Sequence, residues 1–167
     1  MNSMIRSIVS WVIVVWICKV FLTSLPYKFT LHPDTQHIFG TIGEWMSNTI
    51  HSGLGQLFSS VGSYAVGSFE LLTSGVLLAP LVYGLSQKFK GESFRLFRQK
   101  WHSIGGLMAS AVMVGAVFFH LATPLGIEVL HNGQSDGGSL FYAAVSILVL
   151  GIVLFFINRP GETAQDN

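Results

Sequence analysis

A single acidic residue inside a long apolar stretch constrains this sequence more than any other feature. Residues 62–83 are almost entirely apolar, and Glu70 lies among them. About 20 such residues in a helix span the hydrocarbon core of a bilayer. A charged group at the centre of a spanning helix costs roughly 2.5–3.5 kcal/mol on insertion scales, so it normally faces protein or water. The Glu70 helix therefore needs neighbours, and the sequence predicts a polytopic membrane protein.

The composition agrees with this prediction. Half of the 167 residues are hydrophobic, only 10% are charged, and the mean hydropathy is +0.57. The length indicates a single domain, residues 1–167. A net charge of +1 offers no electrostatic footprint for nucleic acid. Cys18 is the one cysteine, so the chain can form neither an internal disulfide nor a dithiol redox pair.

Four apolar stretches predict an all-α, four-helix transmembrane bundle with spans at residues 5–25, 62–83, 103–121 and 140–157. Pro26 is expected to end the first span. Lys and Arg concentrate at both terminal flanks and in the connection 84–102. By the positive-inside rule, both termini and this basic loop are predicted to be cytoplasmic, and the connection 26–61 is predicted to be external.

The two long connections have helical periodicity of their own. In the external one, apolar side chains including Ile38, Ile42 and Trp45 recur at helical spacing, which predicts an amphipathic helix in the membrane interface or at the bundle mouth. In the basic one, Phe94 and Trp101 share a helical face. That segment is predicted either to lie along an anionic leaflet or to be a simple topogenic loop.

Depth in the membrane groups the ionisable residues. At helical rise, Lys19 lies ~9 Å below the outer end of the first span and Glu70 ~11 Å below the outer start of the second. His120 lies near the outer end of the third span, and Asp136 precedes the fourth. An antiparallel bundle could bring these groups into one outer pocket. There Glu70 and His120 could relay protons or hold a quinone carbonyl, whereas a Lys19–Glu70 pair could also be a packing constraint alone.

Other chemistries are not indicated. The sequence has no nucleophile elbow, phosphate loop or zinc-protease motif. The histidines other than His120 lack metal-ligand spacing, and a transmembrane haem would need two histidines at core depth. The sequence therefore predicts no metal site and no self-sufficient enzyme, but at most a subunit of a membrane oxidoreductase.

Several short pieces, taken in their order and spacing, resemble the DoxX-like family of small membrane proteins. The pieces cover most of residues 21–156 and read Leu25-Pro-Tyr-Lys28-Phe29-Thr with His37-Ile-Phe39, Gly67-Ser-Phe-Glu70-Leu-Leu, Phe119-His120-Leu and Asp136-Gly-Gly-Ser-Leu-Phe141. The resemblance implies a four-helix bundle of the bacterial inner membrane. It also implies a link to quinone-dependent oxidation of sulfur compounds or to thiol and oxidative-stress complexes. The acid of the family's second helix corresponds to Glu70 and the lysine at the outer end of its first helix to Lys28, while Lys19 has no counterpart.

Three functions follow as hypotheses. The first is a membrane subunit that binds a quinone-like or other lipophilic partner in an outer pocket and docks redox proteins. The second is a small proton-coupled transporter with Glu70 as its proton site. The third is a structural or assembly protein in which the polar cluster only holds helices together.

Overall fold

The chain folds into long, apolar helices that pack together as a bundle. The computed structural model describes residues 3–86, 89, 91–131 and 134–159. In these residues the elements are α1 (Ser3–Phe29), α2 (Pro33–Thr49), α3 (Ser52–Ser86), α4 (Glu92–Ala122), β1 (Leu130–His131), β2 (Gln134–Ser135) and α5 (Ser139–Asn158). Helices α1, α3, α4 and α5 are each long and apolar enough to cross a membrane. The predicted all-α class and the four long apolar helices are confirmed.

The four long helices pack as an antiparallel ring in the order α1–α3–α4–α5. All four contribute to one apolar core, which includes Val14, Ile17, Phe21, Leu77, Ala109, Met113, Ile147 and Leu154. Large apolar side chains also cover the outside of the bundle, where Val12, Val82 and Phe156 are at least 60% exposed. A bundle that is apolar on both its inner and outer surfaces is suited to a lipid environment, which indicates that its outer surface contacts a bilayer.

Two helix pairs approach so closely that only glycine fits between them. An ideal Cβ built on Gly106 of α4 or on Gly151 of α5 would lie 2.6 Å from the carbonyl oxygen of the other residue. Gly43 of α2 and Gly55 of α3 face each other in the same way, with the corresponding distances 2.6 and 2.2 Å. Small residues at such crossings let the two backbones touch.

Helix α2 begins at Pro33, a residue favoured in the first helical turn, and folds back antiparallel on α3. Its buried side chains include Phe39 and Ile42. Ile42 forms a second apolar cluster with Leu125 and Val129 of the segment that follows α4. Helix α2 is thereby attached to the bundle at the end where α1 and α4 finish.

The first helix boundary differs from its prediction. Helix α1 does not end at Pro26 but continues to Phe29. Proline removes one backbone donor and restricts the residue before it, yet its fixed φ is compatible with a helix that neighbouring helices hold in place. The chain then turns sharply at Leu31, which has a positive φ of 52°.

The two long connections are also more helical than predicted. Helix α3 begins at Ser52, so Gly55 and Gly62 are buried helical residues that α2 covers. Helix α4 begins at Glu92, so the basic aromatic segment forms the first turns of a bundle helix. Phe94 is buried there, inside the bundle. The sequence Asn132-Gly133 is a strong turn signal, and these two residues lie outside the described ones.

Candidate functional site

The carboxylate of Glu70 is buried between α1 and α3 and is neutralised there. Glu70 is 3% exposed. The ammonium of Lys28 donates to Glu70 Oε2 at 2.7 Å, and the Ser24 hydroxyl lies 2.9 Å from the same oxygen. Lys28 Nζ also donates to Ser24 Oγ at 2.7 Å, which closes a triangle of polar contacts. The charge of the acid is therefore balanced inside the protein.

Helical spacing accounts for this arrangement. Ser24 and Lys28 are four residues apart, and Phe21 is a further turn back, so all three lie on the face of α1 that is turned to the bundle. On α3, Gly67 comes one turn before Glu70 and has no side chain. An ideal Cβ at Gly67 would already touch the Lys28 side chain at 3.4 Å. Lys28 can therefore lie across α3 and reach the acid.

Lys19 is not part of this site. It is exposed, and its Nζ lies 5.6 Å from the centre of the Trp16 ring on the outside of α1. Nine residues, or about 2.5 helical turns, separate Lys19 from Lys28, which places them on opposite sides of the helix. The structure pairs Glu70 with Lys28 and does not form the predicted Lys19–Glu70 pair.

His120 stabilises the segment after α4. Its Nδ1 lies 2.6 Å from the carbonyl oxygen of Gly126, and its ring packs edge-on against Phe141 of α5, with 5.6 Å between the centroids. An Nδ1–H that donates to this carbonyl fixes the imidazole in position. The hydrogen bond that the structure gives to His120 thus goes to the loop and not to Glu70.

Asp136 caps the start of α5. Its Oδ1 accepts the backbone N–H groups of Val129 and Gly138 at 2.8 and 2.9 Å, and its Oδ2 accepts that of Leu140 at 2.9 Å. Burial raises the pKa of Asp136, but these hydrogen bonds favour the charged form and together hold the pKa below its usual range. Of the predicted polar groups, the structure therefore brings only Lys28 and Glu70 into direct contact.

A cleft of about 340 Å³ opens between α2 and α3, about two helical turns along α3 from Glu70. Its lining combines hydroxyl and amide side chains with a few apolar ones, and consists of Leu31, Thr35, Gln36, Phe39, Gly40, Ser59, Ser60 and Ser63. The hydroxyl of Ser63 is buried and has no hydrogen-bond partner among the described residues. A buried hydroxyl without a partner is costly, and Ser63 forms part of the wall of the cleft.

The cleft and the ion pair share one face of α3. Ser63, Gly67 and Glu70 follow one another at helical spacing, and Ser63 lies about 10 Å along the helix from Glu70. Leu31, at the other edge of the cleft, follows Lys28 by three residues. We call the cleft together with Ser24, Lys28 and Glu70 the Glu70 site.

A second buried polar group, which the sequence analysis missed, lies at the opposite end of the bundle. Ser10 Oγ is 2.6 Å from His102 Nδ1, and the Asn158 amide donates to Ser10 Oγ at 3.0 Å. The Arg98 guanidinium in turn donates to Asn158 Oδ1 at 3.3 Å. These four residues, the Arg98 cluster, join α1, α4 and α5, and all are almost fully buried.

No group of three histidine, cysteine, aspartate or glutamate side chains in the described part of the chain is arranged to hold a metal ion. Cys18 is a buried free thiol. In comparisons with known proteins, no protein-family model, curated protein or solved structure matches this chain. The function must therefore be inferred from the two polar sites.

Proposed function

We propose that this chain is a DoxX-like subunit of the bacterial inner membrane that binds a quinone-type head group in the cleft of the Glu70 site. The observation that supports this best is the buried hydroxyl of Ser63, which lines the cleft and has no hydrogen-bond partner among the described residues. The cleft volume, about 340 Å³, lies in the range of small-molecule sites. By the resemblance, its redox partners belong to a sulfur, thiol or oxidative-stress system.

The proposal includes an orientation. With both termini cytoplasmic, as the Lys and Arg distribution favours, the Glu70 site lies in the outer half of the membrane. Helix α2 then lies at the outer interface. The polar side chains of Glu44 and Asn48 are exposed on it, as expected for a helix that borders water.

The residues of the cleft suit a flat ligand with carbonyl groups. The Ser63 hydroxyl can donate a hydrogen bond to a carbonyl oxygen, while Leu31 and Phe39 offer apolar contact to a ring. A bound quinone would supply two-electron, two-proton redox chemistry, with the electrons coming from a partner redox protein. The Glu70–Lys28 ion pair would lie about two turns along α3 from this head group.

The test is mass spectrometry of lipophilic molecules that co-purify in mild detergent, combined with binding of an added short-chain quinone. Ser63→Ala removes the free hydroxyl and should weaken quinone binding about fivefold, as expected for one lost hydrogen bond. Ser60→Trp fills the cleft from an exposed position and should abolish binding. Ser68→Ala, an exposed site on the same helix, is the matched control and should bind as the wild type does.

Absence of quinone from the wild type, with no binding of the added analogue, would reject the proposal. The second candidate is the proton-coupled transporter, which the burial of an acidic side chain, Glu70, inside the bundle favours. Reconstituted protein would then show pH-dependent uptake that Glu70→Gln abolishes. An empty bundle that unfolds in Glu70→Gln would instead favour the structural function.

A further inference from the structure

The Arg98 cluster contains positive charge that no described carboxylate neutralises. Arg98 is 3% exposed, and the side-chain hydrogen bond that it makes goes to the neutral amide of Asn158. In residues 3–86, 89, 91–131 and 134–159, no acid lies within salt-bridge distance of Arg98. Glu92, the acid closest to it on α4, pairs with Arg95. Because arginine stays protonated, this guanidinium is a buried cation that has no carboxylate partner among the described residues.

Other donors lie around the same point. Arg6, in the first turns of α1, and Arg95 both lie within Coulombic range of Arg98. Arg6 Nε is buried and has no hydrogen-bond partner among the described residues. His102, one turn after Arg98, likewise has a buried Nε2 without a hydrogen bond of normal geometry. The cluster is therefore rich in donors and poor in acceptors, which is the composition of an anion site.

We propose that Arg98 and Arg6 form a phosphate-binding site whose ligand is the head-group phosphate of an anionic phospholipid. The planar guanidinium group matches two phosphate oxygens at once. A bound phosphate would supply the negative charge and the acceptors that the cluster lacks. This site lies at the opposite end of the bundle from the cleft and does not depend on quinone binding.

The position of the site favours a lipid as the source of the phosphate. Arg6 is near the start of α1, and Asn158 is the last residue of α5, so the cluster lies where the spanning helices end. Tyr83, Phe97 and Trp101 stack in a row at this end, as aromatic side chains do at membrane surfaces. Basic pockets between spanning helices at a membrane surface bind anionic lipid head groups.

The test uses the full chain in nanodiscs that contain phosphatidylcholine and phosphatidylglycerol, followed by native mass spectrometry of the retained lipid. The wild type should keep one phosphatidylglycerol, and Arg98→Gln should weaken its retention about tenfold or more. Arg98→Lys keeps the positive charge but loses the planar guanidinium group that can donate to two phosphate oxygens at once. Its lipid retention should lie between those of the wild type and Arg98→Gln. Lys100→Gln removes the same charge from an exposed position of α4 and should retain lipid like the wild type.

Circular dichroism and gel filtration check that each variant is folded, and Arg6→Gln replaces Arg98→Gln in the comparison if the latter does not fold. A second arm adds inorganic phosphate to the wild type in uncharged detergent. If inorganic phosphate stabilises the wild type but not Arg98→Gln, and the wild type retains no lipid, the phosphate site stands and its ligand is free phosphate. Equal lipid retention by the wild type, Arg98→Gln and Arg6→Gln, or an equal loss in Lys100→Gln, would overturn the proposal.

Discussion

The two ends of the bundle bury charge in opposite ways. At the Glu70 site, the acid receives a lysine ammonium at 2.7 Å, so the pair is balanced without any further molecule. In the Arg98 cluster, the described partners of the guanidinium are neutral. A balanced pair can remain buried unaided, whereas a lone buried cation needs an anion from elsewhere. The presence of charge inside a membrane bundle is therefore less informative than whether the surrounding protein neutralises it.

The largest expected effect comes from unbalancing the Glu70 site. Glu70→Gln leaves the Lys28 ammonium buried without its partner and should lower the free energy of unfolding by roughly 3 kcal/mol. The double variant Glu70→Gln/Lys28→Gln should recover part of this loss, because no unpaired charge remains. Denaturant unfolding in detergent micelles measures both. Lys19→Gln is the matched control, since Lys19 is exposed, and should change stability by less than about 0.5 kcal/mol. Equal stability of Glu70→Gln and Lys19→Gln would show that the pair does not stabilise the fold.

A smaller effect is expected at the other end. Asn158→Ala removes the amide that accepts from Arg98 and donates to Ser10, and should cost roughly 2 kcal/mol. The exposed Asn48→Ala is its control. If the ends differ as described, added phosphatidylglycerol should offset the loss in Asn158→Ala but not the loss in Glu70→Gln. Rescue of both variants to the same extent would remove the distinction.

The smallest effect concerns the cap of α5 and depends on pH. Asp136→Asn should lower the free energy of unfolding by about 1 kcal/mol at neutral pH. Because folding lowers the pKa of Asp136, its carboxylate stabilises the fold above the ordinary pKa of about 3.9, and this contribution disappears as the pH falls through the lowered pKa. The stability difference between wild type and variant, measured from pH 7 to pH 3, should therefore shrink on acidification. A difference that does not change with pH would contradict the assignment of Asp136 as a charged cap.

The sequence predicts the architecture well because the length of an apolar stretch is a local property. All four long apolar helices could be located from composition and spacing alone. The residues at which these helices begin and end were harder to predict, since tertiary packing decides whether a helix continues. Helix α1 passes through Pro26, and α4 extends back to Glu92, because each continuation packs side chains onto neighbouring helices.

The membership of the Glu70 site could be predicted only in part. Depth alone suggested Lys19, but depth does not determine the side of the helix on which a residue lies. Because Pro26 was expected to end the first helix, Lys28 lay outside the predicted span. Only the family resemblance identified Lys28 as a candidate site residue. Continuing the helical period from Phe21 for two turns would have placed Lys28 on the buried face of α1.

The Arg98 cluster was missed for a different reason. The basic residues of segment 84–102 were interpreted only as a signal of membrane orientation. The helical periodicity of the same segment was therefore not considered. Phe94, Arg98, His102, Gly105 and Ala109 recur at helical spacing, which predicts one buried stripe. The partners on α1 and α5 could not be identified in this way, because Ser10 and Asn158 are brought together only by the tertiary fold.

The connection between α2 and α3 has a consequence for the order in which the two sites are made. Only Ile50 and His51 separate these helices, and the glycines at their crossing are close in sequence. The cleft can therefore form while the ribosome is still synthesising α4, since contacts between sequence neighbours form early. The Arg98 cluster joins residues 148 positions apart and must wait for α5. Asn158 can therefore hold Arg98 in position for a lipid phosphate only after α5 has been made, when the cleft at the other end is already present.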